Sequence, residues 1–214
     1  MTKLSPSMLA SDFANLEKEL AVVTSSGADY VHLDVMDGVY VPNITFGLPV
    51  VKAMRRVSDG FFDCHLMITE PEKYAAQFVD VGADMVTFHP EASSEPLKTL
   101  LDIREKGAKC GIALNPDVPF EAYSHLIGYC DVVVVMGVYA GFGGQKLIPE
   151  TLDKVRRLRE FIDDNGYSAE IEFDGGVTVD NASEVKSAGV DILVAGTAFF
   201  GAEDKVVAAK ILKS

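Results

Sequence analysis

The sequence predicts a (β/α)8 TIM barrel, and three observations predict it. Short apolar runs alternate strictly with helix-length segments, the alternation repeats eight times, and the helix-to-strand joints recur as near copies. A repeated βα unit places its strands in parallel with the helices outside, and eight copies close the sheet on itself. The chain of 214 residues is 48% hydrophobic, which suits one barrel domain over 1–214 with no linker or low-complexity stretch. An open doubly wound sheet is the alternative, but its edge strands would be less uniformly apolar than these runs.

Taken in order, the strand-like runs lie near residues 3–9, 30–36, 61–67, 85–89, 109–114, 132–138, 169–174 and 191–196. Between and after them lie helical segments at 12–25, 47–57, 71–81, 96–106, 119–127, 149–164, 179–188 and 203–212. After Pro149, Leu152, Val155, Leu158 and Ile162 share one stripe, while Lys154, Arg157 and Glu160 lie off it and are predicted to face water. The joints Ser26-Gly27-Ala28-Asp29, Val81-Gly82-Ala83-Asp84, Lys106-Gly107-Ala108-Lys109 and Ala188-Gly189-Val190-Asp191 each set a glycine where a helix ends in a left-handed residue.

The second strand is the unusual one. Alternate side chains share a face, so Val31, Leu33 and Val35 pack one way while His32, Asp34 and Met36 project the other. Burying an imidazole and a carboxylate costs several kcal/mol unless each is paired or bound to a metal, so partners must come from other strands. In a barrel the active site lies at the C-terminal strand ends, and here those ends are polar. They carry Ser7, His32, Asp34, His65, His89, Asn115 and Asp174. Two imidazoles and two carboxylates, His32, Asp34, His65 and Asp174, suit one divalent metal ion such as Zn, Fe, Co or Mn. The same four could instead form a hydrogen-bonded network without metal, and spacing does not separate the two. His89 and Glu91 are read as lying behind this set, and Glu172 as inward-facing one layer below Asp174, in need of a partner. Met36, Met67 and Met136 would form apolar walls at the rim, and His125 falls on a surface helix.

Three glycine-rich turns follow the later strands: Gly141-Phe142-Gly143-Gly144, Gly175-Gly176 and Gly196-Thr197. Singly each is ordinary turn chemistry; on neighbouring strands they predict a phosphate site built from backbone N–H groups. That resolves a tension with composition. The net charge of −13 argues against nucleic-acid or anionic-membrane partners, which need a basic field, yet backbone donors still hold a small anion. Cys64, Cys110 and Cys130 form no zinc or disulfide spacing. With no leader-like apolar stretch, and no run near the roughly 18 residues of a membrane span, the expectation is a soluble, unprocessed cytoplasmic protein.

Several long motifs make the chain resemble the ribulose-phosphate 3-epimerase family from end to end. They are Ser5-Pro6-Ser7-Met8-Leu9, His32 to Gly38 with Val41-Pro42-Asn43, His65-Leu66-Met67, Leu114-Asn115-Pro116, Gly141 to Gln145, and Asp174-Gly175-Gly176-Val177. The resemblance implies a (β/α)8 barrel and metal-dependent inversion at C3 of a ketose phosphate, D-ribulose 5-phosphate to D-xylulose 5-phosphate, in the pentose phosphate pathway. It implies His32, Asp34, His65 and Asp174 as metal ligands, with Asp34 and Asp174 also the acid/base pair. Ser7, His65 and the glycine turns would contact substrate, and a homo-oligomer is expected. One departure stands out: Gly137-Val138-Tyr139-Ala140 replaces the family's usual Ser or Thr, Val, Asn or Asp, Pro. Loss of the proline predicts a freer loop and altered phosphate affinity or sugar length. Relatives acting on allulose 6-phosphate share the same acid/base pattern, so that substrate is the alternative.

The chemistry agrees with the residues. A proton beside a ketone is removable when the enediolate is stabilised, and inversion needs proton delivery from the opposite face. Two aspartates on distant strands suit that task. A metal-free aldolase or decarboxylase would be expected to present a lysine at a strand end, and none falls there. A non-enzymatic sugar-phosphate binder would have no use for two histidines and two aspartates at one point.

Overall fold

In the computed structural model, which describes residues 2–214, eight parallel strands make one sheet. They are β1 Lys3–Pro6, β2 Val31–Met36, β3 Phe62–Met67, β4 Met85–Phe88, β5 Lys109–Leu114, β6 Val132–Met136, β7 Glu170–Asp174 and β8 Ile192–Ala195. Each lies within one of the eight apolar runs. The order β1-β8-β7-β6-β5-β4-β3-β2 brings β1 and β2 to a seam, and a parallel bridge between Ser7 and His32 spans it at the upper end. The barrel thus closes at residues that also face its interior.

Outside the strands run α1 Leu16–Ser25, α2 Leu48–Arg55, α3 Ala75–Asp80, α4 Pro96–Glu105, α5 Ser124–Ile127, α6 Glu150–Asp164, α7 Ala182–Ser187, α8 Thr197–Phe200 and α9 Lys205–Lys213. Three predicted helices begin instead as 3-10 turns, at Phe13–Asn15, Pro71–Lys73 and Phe120–Tyr123. The sequence reading has no helix at α8, because four residues are too few to show a periodic stripe. The joint glycines do take positive φ, with Gly27 at 85°, Gly82 at 114°, Gly107 at 90° and Gly189 at 110°. A Cβ is unwelcome in that region, so the chain reverses there at least cost.

Lys154 departs from expectation. It is buried rather than water-facing, and its ammonium donates to the carbonyls of Asn115 at 2.6 Å, Pro116 at 3.0 Å and Val118 at 2.8 Å. A long flexible stem lets a lysine beside the apolar stripe reach under it, which periodicity does not encode. It pins the loop after β5 with all three donors, so no lone pair is left for nucleophilic work.

The main core lies between strands and helices, where Val31, Leu33 and Val35 meet residues such as Leu20 and Val51. Each such burial contributes about 1.5–3 kcal/mol. Inside the barrel, Tyr30, Met85, Val132 and Ile192, with Phe61, plug the lower end. Above that plug the interior becomes polar. Register explains how: His32 pairs with Asp63, Asp34 with His65, and Met36 with Met67, so two strands stack two mixed imidazole–carboxylate layers beneath an apolar one.

Candidate active site

Four side chains from three strands, β2, β3 and β7, converge on one point. His32, Asp34, His65 and Asp174 each offer a ligand atom, and these atoms lie within 4.8 Å of one another. His32 Nε2 stands 3.5 Å from Asp34 Oδ1 and 3.8 Å from Asp174 Oδ2. His65 Nδ1 stands 3.9 Å and 3.5 Å from the same two oxygens. Both of these ring nitrogens are fully buried without a hydrogen-bond partner. A network lacking metal would leave neither orphaned, since an unpaired buried polar atom costs about 1–3 kcal/mol. The donor set therefore fits a divalent cation.

Each imidazole is oriented from behind. His32 Nδ1 lies 2.7 Å from Asp63 Oδ2, which also accepts from Ser5 Oγ at 2.9 Å. The carboxylate fixes the proton on Nδ1 and turns the Nε2 lone pair toward the centre. His65 Nε2 meets His89 Nε2 at 3.0 Å. Behind His89, Glu91 Oε1 lies 3.5 Å from Nδ1 and accepts from Tyr40 Oη at 2.9 Å and Asn115 Nδ2 at 3.1 Å. Burial holds the His89 imidazole at about 4, so it is neutral near pH 7. Burial opposes ionisation of Glu91, but the His89 contact outweighs it and the carboxyl sits at about 2.

Asp63 escapes the sequence reading, although the signal exists: it stands two residues before His65, as His32 does before Asp34, and so shares its face. The partner expected for Glu172 is not found: both its carboxyl oxygens are buried without a hydrogen-bond partner among the described residues, with His32 Nδ1 standing 3.4 Å from Oε1. His32, Asp63 and Glu172 cluster below the four-donor centre. Burial, and next the Asp63 charge, push Glu172 well above the usual carboxylate range. Tyr40 is missed as well, because a loop tyrosine gives no pattern to read.

Asp34 is held below its usual range; burial opposes this, and the contact with the His32 ring leads the interactions that outweigh it, with Ser7 Oγ donating to Asp34 Oδ2 at 2.5 Å. Thr45 Oγ1 donates to the Asp34 carbonyl and accepts from Met36 N, tying the loop after β2 to the strand. Asp34 and Asp174 form the floor of a cavity of about 800 Å³. Its walls carry Ser7, Met36, Met67, Met136, Gly141 to Gly144, Gly175, Gly176, Gly196 and Thr197. His32 and His65 lie beneath the floor, fully buried. His125 is exposed, as expected.

On the wall, the N–H groups of Gly143, Gly144 and Gly176 have no backbone acceptor among the described residues. In the loop that lacks the family proline, side-chain amides hold backbone carbonyls. Gln145 Nε2 donates to the Tyr139 and Phe142 carbonyls at 2.7 and 2.9 Å, and Asn43 Nδ2 to the Gly141 carbonyl at 2.9 Å. Side chains hold what a ring would otherwise stiffen.

Fold and site define the class: a barrel enzyme whose cavity floor is able to hold a metal ion. The comparisons agree, for the Ribulose-phosphate 3 epimerase family matches residues 3–200. Ribulose-phosphate 3-epimerase from Mycobacterium tuberculosis is 46% identical over 210 residues, 98% of this chain and 91% of that one. The Escherichia coli enzyme of that name is 43% identical over 202 residues, 94% and 90% of the two chains. The chain belongs to the ribulose-phosphate 3-epimerase family, a family of isomerases. A crystal structure of 3-hexulose-6-phosphate synthase also superposes, with a TM-score of 0.70 over 99% of this chain and 98% of that one. At 20% identity that likeness carries the fold alone. No helix is long and apolar enough to cross a membrane among the described residues.

Proposed function

We propose that the chain epimerises C3 of a ketose phosphate, D-ribulose 5-phosphate to D-xylulose 5-phosphate, with a divalent ion (Zn, Fe, Co or Mn) held by His32, Asp34, His65 and Asp174. The observation that carries this is the pair of orphaned imidazole nitrogens facing the two cavity-floor carboxylates. When bound, the ion supplies positive charge that stabilises the enediolate oxygens. Asp34 removes the C3 proton and the electron pair of that bond enters the enediolate. Asp174 then delivers a proton to the opposite face of C3, and exchange with water restores both carboxyls. Ser7, donating to Asp34, orients the base.

Met36, Met67 and Met136 exclude water without offering donors to the electron-rich intermediate. The phosphate lies against the glycine turns, including Gly196-Thr197, with Lys146 on the same wall. Backbone donors suit a dianion in a chain of net charge −13. Allulose 6-phosphate is a second reading, because Tyr139, half exposed on the cavity wall where the family pattern has Asn or Asp, alters a wall that would bear on sugar length.

Kinetics on both sugars, beside metal analysis of protein purified without added metal, test the proposal. Near-stoichiometric metal, loss of epimerisation on chelation and higher kcat/KM for ribulose 5-phosphate are expected. Absence of metal, with no activation by Zn, Mn, Co or Fe, would sink it.

A further inference from the structure

We propose that His89 and Glu91 are positioning residues for His65, with the Glu91 carboxylate fixing which His65 nitrogen faces the four-donor centre. This rests on the metal reading above. His65 presents Nδ1 to the centre, whereas His32 presents Nε2. For Nδ1 to offer a lone pair, the proton of a neutral ring must sit on Nε2, and only an acceptor there keeps it in place. That neighbour is His89 Nε2 at 3.0 Å, itself a ring able to donate or accept.

The ambiguity ends one residue further out. A carboxylate only accepts, and Glu91 Oε1 faces His89 Nδ1 at 3.5 Å. Asn115 Nδ2 also approaches His89 Nδ1, at 3.4 Å, but its two hydrogens have nearer acceptors in Tyr40 Oη at 2.8 Å and Glu91 Oε1 at 3.1 Å. Nδ1 of His89 is thus left to carry the proton, Nε2 to accept, and His65 to donate from Nε2. The Tyr40 ring lies against His89, with centroids 4.9 Å apart, so the His89 ring is also held by packing. Remove the carboxylate and nothing prevents His89 from protonating Nε2, which would drive the His65 proton onto Nδ1, where it would compete with the ion. His32 needs no such relay, because Asp63 touches it directly.

The test is Co2+ affinity, measured by visible absorption against a competing chelator, in wild type, His89→Ala, His89→Gln, Glu91→Ala and the double alanine variant, each with circular dichroism of the metal-free protein. His89→Ala and Glu91→Ala should each weaken Co2+ binding roughly 10–100-fold. Residues acting in series do not add, so the double variant should bind no more weakly than His89→Ala alone. His89→Gln should recover most of the affinity, since its amide oxygen can accept from His65. Wild-type affinity in His89→Ala, or two losses that add, overturns the proposal. Should His89→Ala fail to fold, wild-type affinity in Glu91→Ala, which is partly exposed, overturns it alone. A wild-type protein that binds no Co2+ removes the metal reading beneath it, an outcome distinct from any variant result.

Discussion

The floor of the cavity and its wall are built by opposite means. The floor presents side chains: four groups from β2, β3 and β7 meet at one point, His32 backed by the Asp63 carboxylate and His65 by the His89 ring. The wall presents main chain, with the N–H groups of Gly143, Gly144 and Gly176 left without a backbone acceptor among the described residues. Charged groups can be concentrated on the floor only because a further layer satisfies them, whereas the wall needs nothing behind it but a turn. Substitution should therefore act differently in the two places: removing atoms damages the floor, and adding atoms damages the wall.

The largest effect expected outside the four donors is at Asp63. Replacing it by Ala strips both His32 Nδ1 and Ser5 Oγ of their acceptor and leaves His32 free to turn. Metal affinity should fall roughly 10–100-fold, read by chelator competition; an unchanged affinity would mean that His32 is held by packing alone.

On the wall, Gly143→Val is the sharper probe. A Cβ there meets only Leu9 Cδ2, at 3.8 Å, so the fold should survive while the methyls block approach to the N–H. Losing one hydrogen bond to a charged group is worth about 1.5–3 kcal/mol, or roughly 10–100-fold in KM, with kcat little changed. Wild-type KM in a folded variant would remove this turn from the phosphate site. Gly176 is not an equivalent probe. Its φ is +72° and a Cβ would lie 2.4 Å from Leu147 N, so any side chain would break the turn itself.

A smaller effect, on stability alone, is expected at Lys154. Lys154→Met keeps the stem but leaves three carbonyls without their donor, costing about 2–3 kcal/mol in denaturant unfolding. Metal affinity should not move. If it does, the loop after β5, which carries Asn115, contributes to the floor more directly than its distance suggests.

This contrast also explains what could be read in the sequence. The eight strands were legible because buried parallel strands are continuous apolar runs, and the floor because His32, Asp34, His65 and Asp174 are polar at positions that should be apolar. The wall was legible only as glycine. What stayed hidden depends on the third dimension: Lys154 reaching beneath its own helix, Tyr40 closing the network over Glu91, and the side chains that replace a missing proline. Asp63 lay within reach, since carrying the His65 alternation one step back along β3 would have found it.

The central claim is that the two floor aspartates serve opposite faces of one planar intermediate. It is tested most directly by following the C3 hydrogen of ribulose 5-phosphate in deuterated water, using Asp174→Asn and Asp34→Asn shown first to hold as much metal as wild type. Asp174→Asn should exchange that hydrogen without forming xylulose 5-phosphate, because Asp34 still removes the proton. Asp34→Asn should neither exchange nor epimerise. Normal epimerisation by either variant, or unimpaired exchange by Asp34→Asn, would contradict the account.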